Sequence, residues 1–117
     1  MMSEATTESR EAYADDAPLV RLLGTPARVR IASVFIAERG RDLTKSEVAR
    51  QAGVARSTVY DHLEDLERLG VVEHTRTEAD YSPRYRLAED SAVATKLHEL
   101  EGVTLQRLLG VEDGDAG

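Results

Sequence analysis

Apolar positions along this chain recur in blocks whose spacing is helical for the first two thirds, alternates briefly, and becomes helical again before the end. Leu19, Val20, Leu22 and Leu23 make one face of a short helix that ends near Gly24. Thr25 followed by Pro26 then starts another, because threonine caps well and proline lacks an N–H that a helix start leaves unpaired in any case. From Pro26 to about Arg39 the apolar residues fall on two faces, Ala27, Ile31, Val34 and Phe35 on one and Val29, Ala32 and Ile36 on the other. A helix apolar on two faces is expected to lie between layers or to be shared with a partner. Gly40 stops it.

The stretch from Leu43 to Gly70 organises the rest. Thr44 with Glu47 three residues on is a capping box, and Leu43 before the cap can staple onto Val48, so a short helix is predicted here with Val48, Ala49 and Ala52 inward. Gly53 supplies the backbone freedom for a sharp turn. A second helix follows, with Val59, Leu63 and Leu66 on its apolar stripe, Leu69 beside it, and Arg56, Ser57, Tyr60, Asp61 and Glu64 on the other side. Two helices joined by a tight glycine turn, the second with a polar N-terminal half, make a helix-turn-helix pattern.

The run Glu47-Val48-Ala49 to Gly53-Val54, then Arg56-Ser57-Thr58-Val59-Tyr60-Asp61-His62-Leu63 to Leu66 and Leu69-Gly70-Val71-Val72, resembles a winged helix-turn-helix of the arsenic-repressor-like group of small prokaryotic transcription regulators. The resemblance covers roughly Leu19 to Leu87 and implies a mainly α fold with a small β-hairpin wing. It implies in turn a DNA-binding regulator whose recognition helix spans about 55–69. One departure stands out: such domains usually cap that helix with Ser or Thr, and this chain has Ala55, which costs about 1 kcal/mol.

After Gly70, Val71 to Arg76 is β-branched and partly alternating, Thr77 to Pro83 is turn-like, and Arg84-Tyr85-Arg86-Leu87 alternates strictly, a hairpin that would be the wing. A last helix is expected from Glu89 or Asp90 to about Leu109, with Val93, Leu97, Leu100, Thr104 and Leu108 on one face and Leu105 and Leu109 beside it. Either these side chains pack only on their own domain, or Val93, Leu97, Leu100, Leu105 and Leu108 form a homodimer interface. The division is then 1–17, an acidic tail without structure; 18–88, the winged domain; 89–109, the dimerisation helix; and 110–117, a second unstructured acidic tail.

Charge complicates this picture. The net charge is −7 over 117 residues, although phosphate neutralisation supplies most non-specific DNA affinity. Its distribution matters more than its sum: residues 1–20 carry −4, 21–56 carry +5, 57–86 carry −3 and 87–117 carry −5. The basic block surrounds the helix-turn-helix. Acidic composition with two Lys beside thirteen Arg is similar to that of salt-loving archaea, where concentrated salt screens self-repulsion. There is no cysteine, hence no disulfide framework, cysteine nucleophile or thiolate metal site. No apolar run approaches the ~18 residues of a membrane span, and no export signal opens the chain, so the expectation is a cytoplasmic protein away from membranes.

A recognition helix meets base edges mainly with its N-terminal residues, which selects Arg56, Ser57, Thr58, Tyr60 and Asp61. Arg56 can bond guanine in bidentate fashion, while Ser57, Thr58 and Tyr60 can reach bases or phosphates. Asp61 either accepts from cytosine or has a local role, restraining Arg56 or capping, and His62, between stripe and groove side, is expected to be a packed residue. Lys45 and Ser46, at a helix start, are phosphate candidates, with Lys45 weakening all sequences alike when removed. Arg76, Arg84 and Arg86 are the wing candidates, opposed by Glu78 and Asp80; the alternative is that these charges form a solvated face.

Catalysis finds little support. Ser57, Asp61 and His62 cannot form a nucleophile-base-orienter chain from one helix, no glycine loop cradles phosphate, and His62, His74 and His98 show no metal-ligand spacing. No cofactor, metal or small effector is indicated. The expected function is that of a homodimeric regulator of transcription on double-stranded DNA, acting as a repressor by occluding a promoter. The alternative, favoured by net acidity, is a winged-helix module for protein contact in a transcription or replication assembly.

Overall fold

The computed structural model describes residues 13–75 and 82–110. Its elements in order are a 3-10 turn (Tyr13–Asp16), α1 (Pro18–Leu23), α2 (Pro26–Ala37), β1 (Leu43–Thr44), α3 (Lys45–Ala52), α4 (Arg56–Arg68), β2 (Val72–Thr75), β3 (Arg84–Leu87) and α5 (Ala92–Leu109). The helix starts follow their caps. Thr25 Oγ1 accepts from the Arg28 N–H, with Pro26 in the first turn, as the Thr-Pro pair predicts.

The core lies where α2, α3 and α4 meet above the sheet. Ile31 and Phe35 from α2, Val48 and Ala52 from α3, and Val59, Leu63 and Leu66 from α4 are buried, closed beneath by Leu43, Val71, Val72 and Leu87. No charged or polar side chain is buried among the described residues. Of the two apolar faces of α2, the one carrying Ile31, Val34 and Phe35 enters the core, while Ala32 and Ile36 pack at its margin and Val29 stays exposed.

The sheet departs from expectation. The pattern predicts a two-stranded hairpin, but three antiparallel strands form in the order β1-β3-β2. β2 and β3 pair with Val72 opposite Leu87 and Thr75 opposite Arg84, and β1 adds Leu43 opposite Tyr85 and Thr44 opposite Arg84. Two residues are too few to show alternation, so β1 leaves no periodic signal. Its effect is large nonetheless: it fixes the start of α3 to the middle strand.

Other boundaries shift for identifiable reasons. At the end of the expected 1–17 tail, Tyr13–Asp16 forms a 3-10 turn and Asp16 pairs with Arg21 at 3.5 Å; the rest of it, and 111–117, lie outside the described residues. α5 begins at Ala92 rather than at residue 89 or 90, because Ser91 Oγ accepts from the Ala94 N–H and makes Ser91 the cap.

α5 is divided along its length. Ala94 is buried, Val93 and Leu97 pack against the core, and Arg39 donates to His98 Nε2 at 2.7 Å. From Glu99 to Gly110 every side chain is exposed, Leu100, Leu105 and Leu108 among them. Of the five expected interface residues, Val93 and Leu97 pack against the domain's own core, while Leu100, Leu105 and Leu108 are exposed, Leu100 at the mouth of a cavity that Leu66 and Val71 also line.

Candidate nucleic-acid interface

Thr44 and Glu47 form the predicted capping box, with the Thr44 N–H donating to Glu47 Oε1 at 2.9 Å and the Glu47 N–H to Thr44 Oγ1 at 3.2 Å. That bond from the Thr44 backbone, followed by the positive charges of Arg84 and Arg50, holds the Glu47 carboxyl below its ordinary range. At the far end, Gly53 takes the left-handed conformation, φ 72°, and its N–H and that of Val54 both return to the Ala49 carbonyl. α4 starts two residues later from Ala55. No side chain caps it; the Thr58 and Val59 N–H groups bond the Ala55 carbonyl, and those of Arg56 and Ser57 have no partner among the described residues.

This geometry brings most of the predicted residues onto one face. Arg56, Ser57, Tyr60 and Asp61 are exposed on the first turns of α4, and Thr58 is half-buried. Thr44, Lys45, Ser46 and Arg56 surround a cavity of ≈ 110 Å³ with Ser82 and Pro83 from the segment before β3. Thr44 and Ser82 are additions; only the sheet, which folds residue 82 back beside residue 45, makes them neighbours. Lys45 Nζ does not extend freely from this rim. It sits 4.3 Å from the Tyr60 ring centroid and 5.6 Å from that of Tyr85, whose ring stacks on His74 at 4.9 Å. Burial, then the negative charge of Glu67, raises the Tyr85 phenol above its ordinary value.

Two of the expected residues have neighbours that bear on their reach. Arg86 is not a free wing cation: its Nε donates to Glu73 Oε2 across the strand pair at 2.7 Å, which raises its already high pKa further. Among the described residues Asp61 has no hydrogen bond or ion pair to Arg56. Arg84 is half-buried in β3, while Arg76, Glu78 and Asp80 lie outside the described residues.

The sequence pattern missed Arg28. Its side chain is 12% exposed and joins three elements, donating Nε to His62 Nδ1 at 3.1 Å, one Nη to Asp65 Oδ2 at 2.7 Å and the other to the Arg21 carbonyl at 2.6 Å. His62 is therefore a packed, bonded residue whose Nδ1 accepts from Arg28. Asp65, which also pairs with Arg68 at 2.9 Å, is held below the usual carboxylate range, first by the Arg28 hydrogen bond. The sign follows: a depressed carboxyl adds stability above the ordinary value near ~4, lost as pH falls through the folded-state pKa. Glu47 behaves alike.

Among the described residues no group of three or more His, Asp or Glu is placed to hold a metal ion, and no helix is long and apolar enough to cross a membrane. Residues 35–76 match the IclR helix-turn-helix domain. No curated protein matches the chain by sequence. Among solved structures, the transcriptional repressor BigR from Xylella fastidiosa is similar at 22% identity and a TM-score of 0.62, over 90% of this chain and 96% of that one. S. aureus MepR in complex with DNA is similar at 19% identity and a TM-score of 0.61, over 82% and 78%. The homodimeric winged helix-turn-helix DNA-binding domain of Mb0332 from Mycobacterium bovis is similar at 21% identity and a TM-score of 0.56, over 87% and 93%. The fold is a winged helix-turn-helix. In this winged helix, α3 and α4 are the two helices of the motif, and the three-stranded sheet is the base of the wing; among these neighbours BigR is a transcriptional repressor and Mb0332 a possible ArsR-family transcriptional regulator.

Proposed function

We propose that this chain binds double-stranded DNA as a homodimer in the cytoplasm, lays the N-terminal half of α4 in the major groove, and represses transcription by occluding a promoter. One observation carries the reading: the first turns of α4 expose Arg56, Ser57, Tyr60 and Asp61 together beside a rim formed by Lys45, Ser46 and Ser82. Arginine at such a position reads guanine, and small hydroxyls with backbone N–H groups at helix starts hold phosphate. MepR has been solved on DNA with this fold, and Mb0332 is a homodimer, which supports both halves of the proposal. Here the second copy would cover the exposed outer half of α5.

Selection of duplexes from a randomised pool tests it. The wild-type chain should enrich a two-part site with half-sites about one helical turn apart, and Arg56→Ala should relax preference at one base pair in each half at a cost of ~1–3 kcal/mol. The net charge of −7 favours a protein-contact module instead. Failure to enrich any sequence at low or at multimolar potassium would decide for that rival.

A further inference from the structure

Lys45 occupies a position that neither its neighbours in sequence nor a phosphate-binding role explains. Its ammonium lies 4.3 Å from the centroid of Tyr60 on α4 and 5.6 Å from that of Tyr85 on β3, and Tyr85 stacks on His74 of β2 with the rings 17° apart. One cation thus bridges the two tyrosines, and the stacked His74 extends the array to the outer strand. The juxtaposition is built by the backbone: β1 pairs Leu43 with Tyr85, and Lys45 follows directly as the first residue of α3. Tyr60, by contrast, is 65% exposed, with the Lys45 ammonium over its ring. On an open helix face such a side chain exchanges rotamers freely, and a cation over its π face is what biases it.

We propose that Lys45 is a positioning residue that holds the Tyr60 ring against the sheet and thereby selects the base pair Tyr60 meets, instead of serving only as a phosphate anchor. The proposal rests on the DNA reading above. It makes Lys45 matter for sequence preference, although it touches no base itself, and it couples α4 to the wing through one ammonium group.

A double-mutant cycle tests this, using Lys45→Met, Tyr60→Leu and the pair, with Lys45→Arg as the conservative variant. Binding is measured to the duplex selected by the wild-type chain and to a random duplex of equal length. Lys45→Met should lose ~2- to 10-fold on the selected duplex and much less on the random one, the range expected for an exposed to partly shielded cation–π contact. In the Tyr60→Leu background the same change should cost little, because acting through Tyr60 makes the two substitutions non-additive. Lys45→Arg, which keeps a cation over the ring, should restore the preference. Equal losses on both duplexes, undiminished in Tyr60→Leu, would overturn the proposal and leave Lys45 a phosphate anchor. An arm without DNA separates the two readings: in the free protein the Lys45 ε-methylene protons should be shielded by the rings and move toward free lysine in Tyr60→Leu. Unshielded protons would overturn the clamp whatever happens on DNA. A wild-type chain that selects no duplex would overturn the DNA reading and the selection step together, with the ring shifts still deciding whether Lys45 holds Tyr60.

Discussion

Gly70 shows how far a single position can constrain the chain. Its φ is 86°, and a Cβ there would stand 2.9 Å from Ser91 Oγ, the atom that caps α5. Substitution therefore meets backbone strain and a clash with a hydroxyl that is already committed. Gly53 also has positive φ, but a Cβ there would find only Arg30 Nη1 at 3.8 Å. Gly70→Ala should cost ~1–3 kcal/mol, more than Gly53→Ala, and the difference should appear as a lower urea midpoint. Equal midpoints would show that Ser91 simply turns aside. At this scale legibility depends on sequence distance. The Thr44–Glu47 box and the uncapped Ala55 could be read because cap and partner are three residues apart or fewer. Arg28 could not, since His62 and Asp65 lie 34 and 37 positions away and nothing local marks an arginine on a helix as a hub.

Helices were legible as elements because each carries an apolar stripe, a cap or both, whereas β1 was not, its two residues being readable equally well as staple and cap. The last helix was legible in extent but not in function, since a period of 3.6 says which side chains share a face and not where along the axis the domain beneath them ends. Leu97 packs on the core, while Leu100 is more than half exposed. The distinction sets the right test of a dimer. Changing Leu97 to Glu would damage the core, while Leu100→Glu with Leu108→Glu should leave the melting of the domain nearly unchanged. If the outer half of α5 is the seam, the double variant sediments as a monomer and loses most of its operator affinity, because two half-sites are no longer held together. A dimer of unchanged mass would place the seam elsewhere.

On the scale of the whole molecule, the question is how a chain of net charge −7 approaches a polyanion. Part of the acidity is compensated where it stands: Glu64 pairs with Arg68, Asp65 with Arg28 and Arg68, and Glu73 with Arg86. Charge sums cannot show this. The remaining carboxylates still repel phosphate until salt shortens the Debye length to about 3 Å near 1 M. Under the DNA reading, affinity should therefore fall only shallowly with potassium, or rise, instead of following a slope near −0.9 for each phosphate neutralised. Titration from low to multimolar salt checks this, and neutral residues at Glu78 and Asp80 should steepen the loss. A steep slope, the same in that variant, would make these acids mere solubilising charges.

Ala55 leaves the amides of Arg56 and Ser57 open to water at the start of the most exposed helix of the motif. A serine there would close part of this gap and make a more stable protein. Left open, the first turn is unfinished in the free chain and is completed only when something else brings an oxygen to it. These two protons should thus trade with solvent quickly in isolation and slowly once a phosphate arrives, so that occupancy of the groove can be followed, amide by amide, at a turn that no side chain caps.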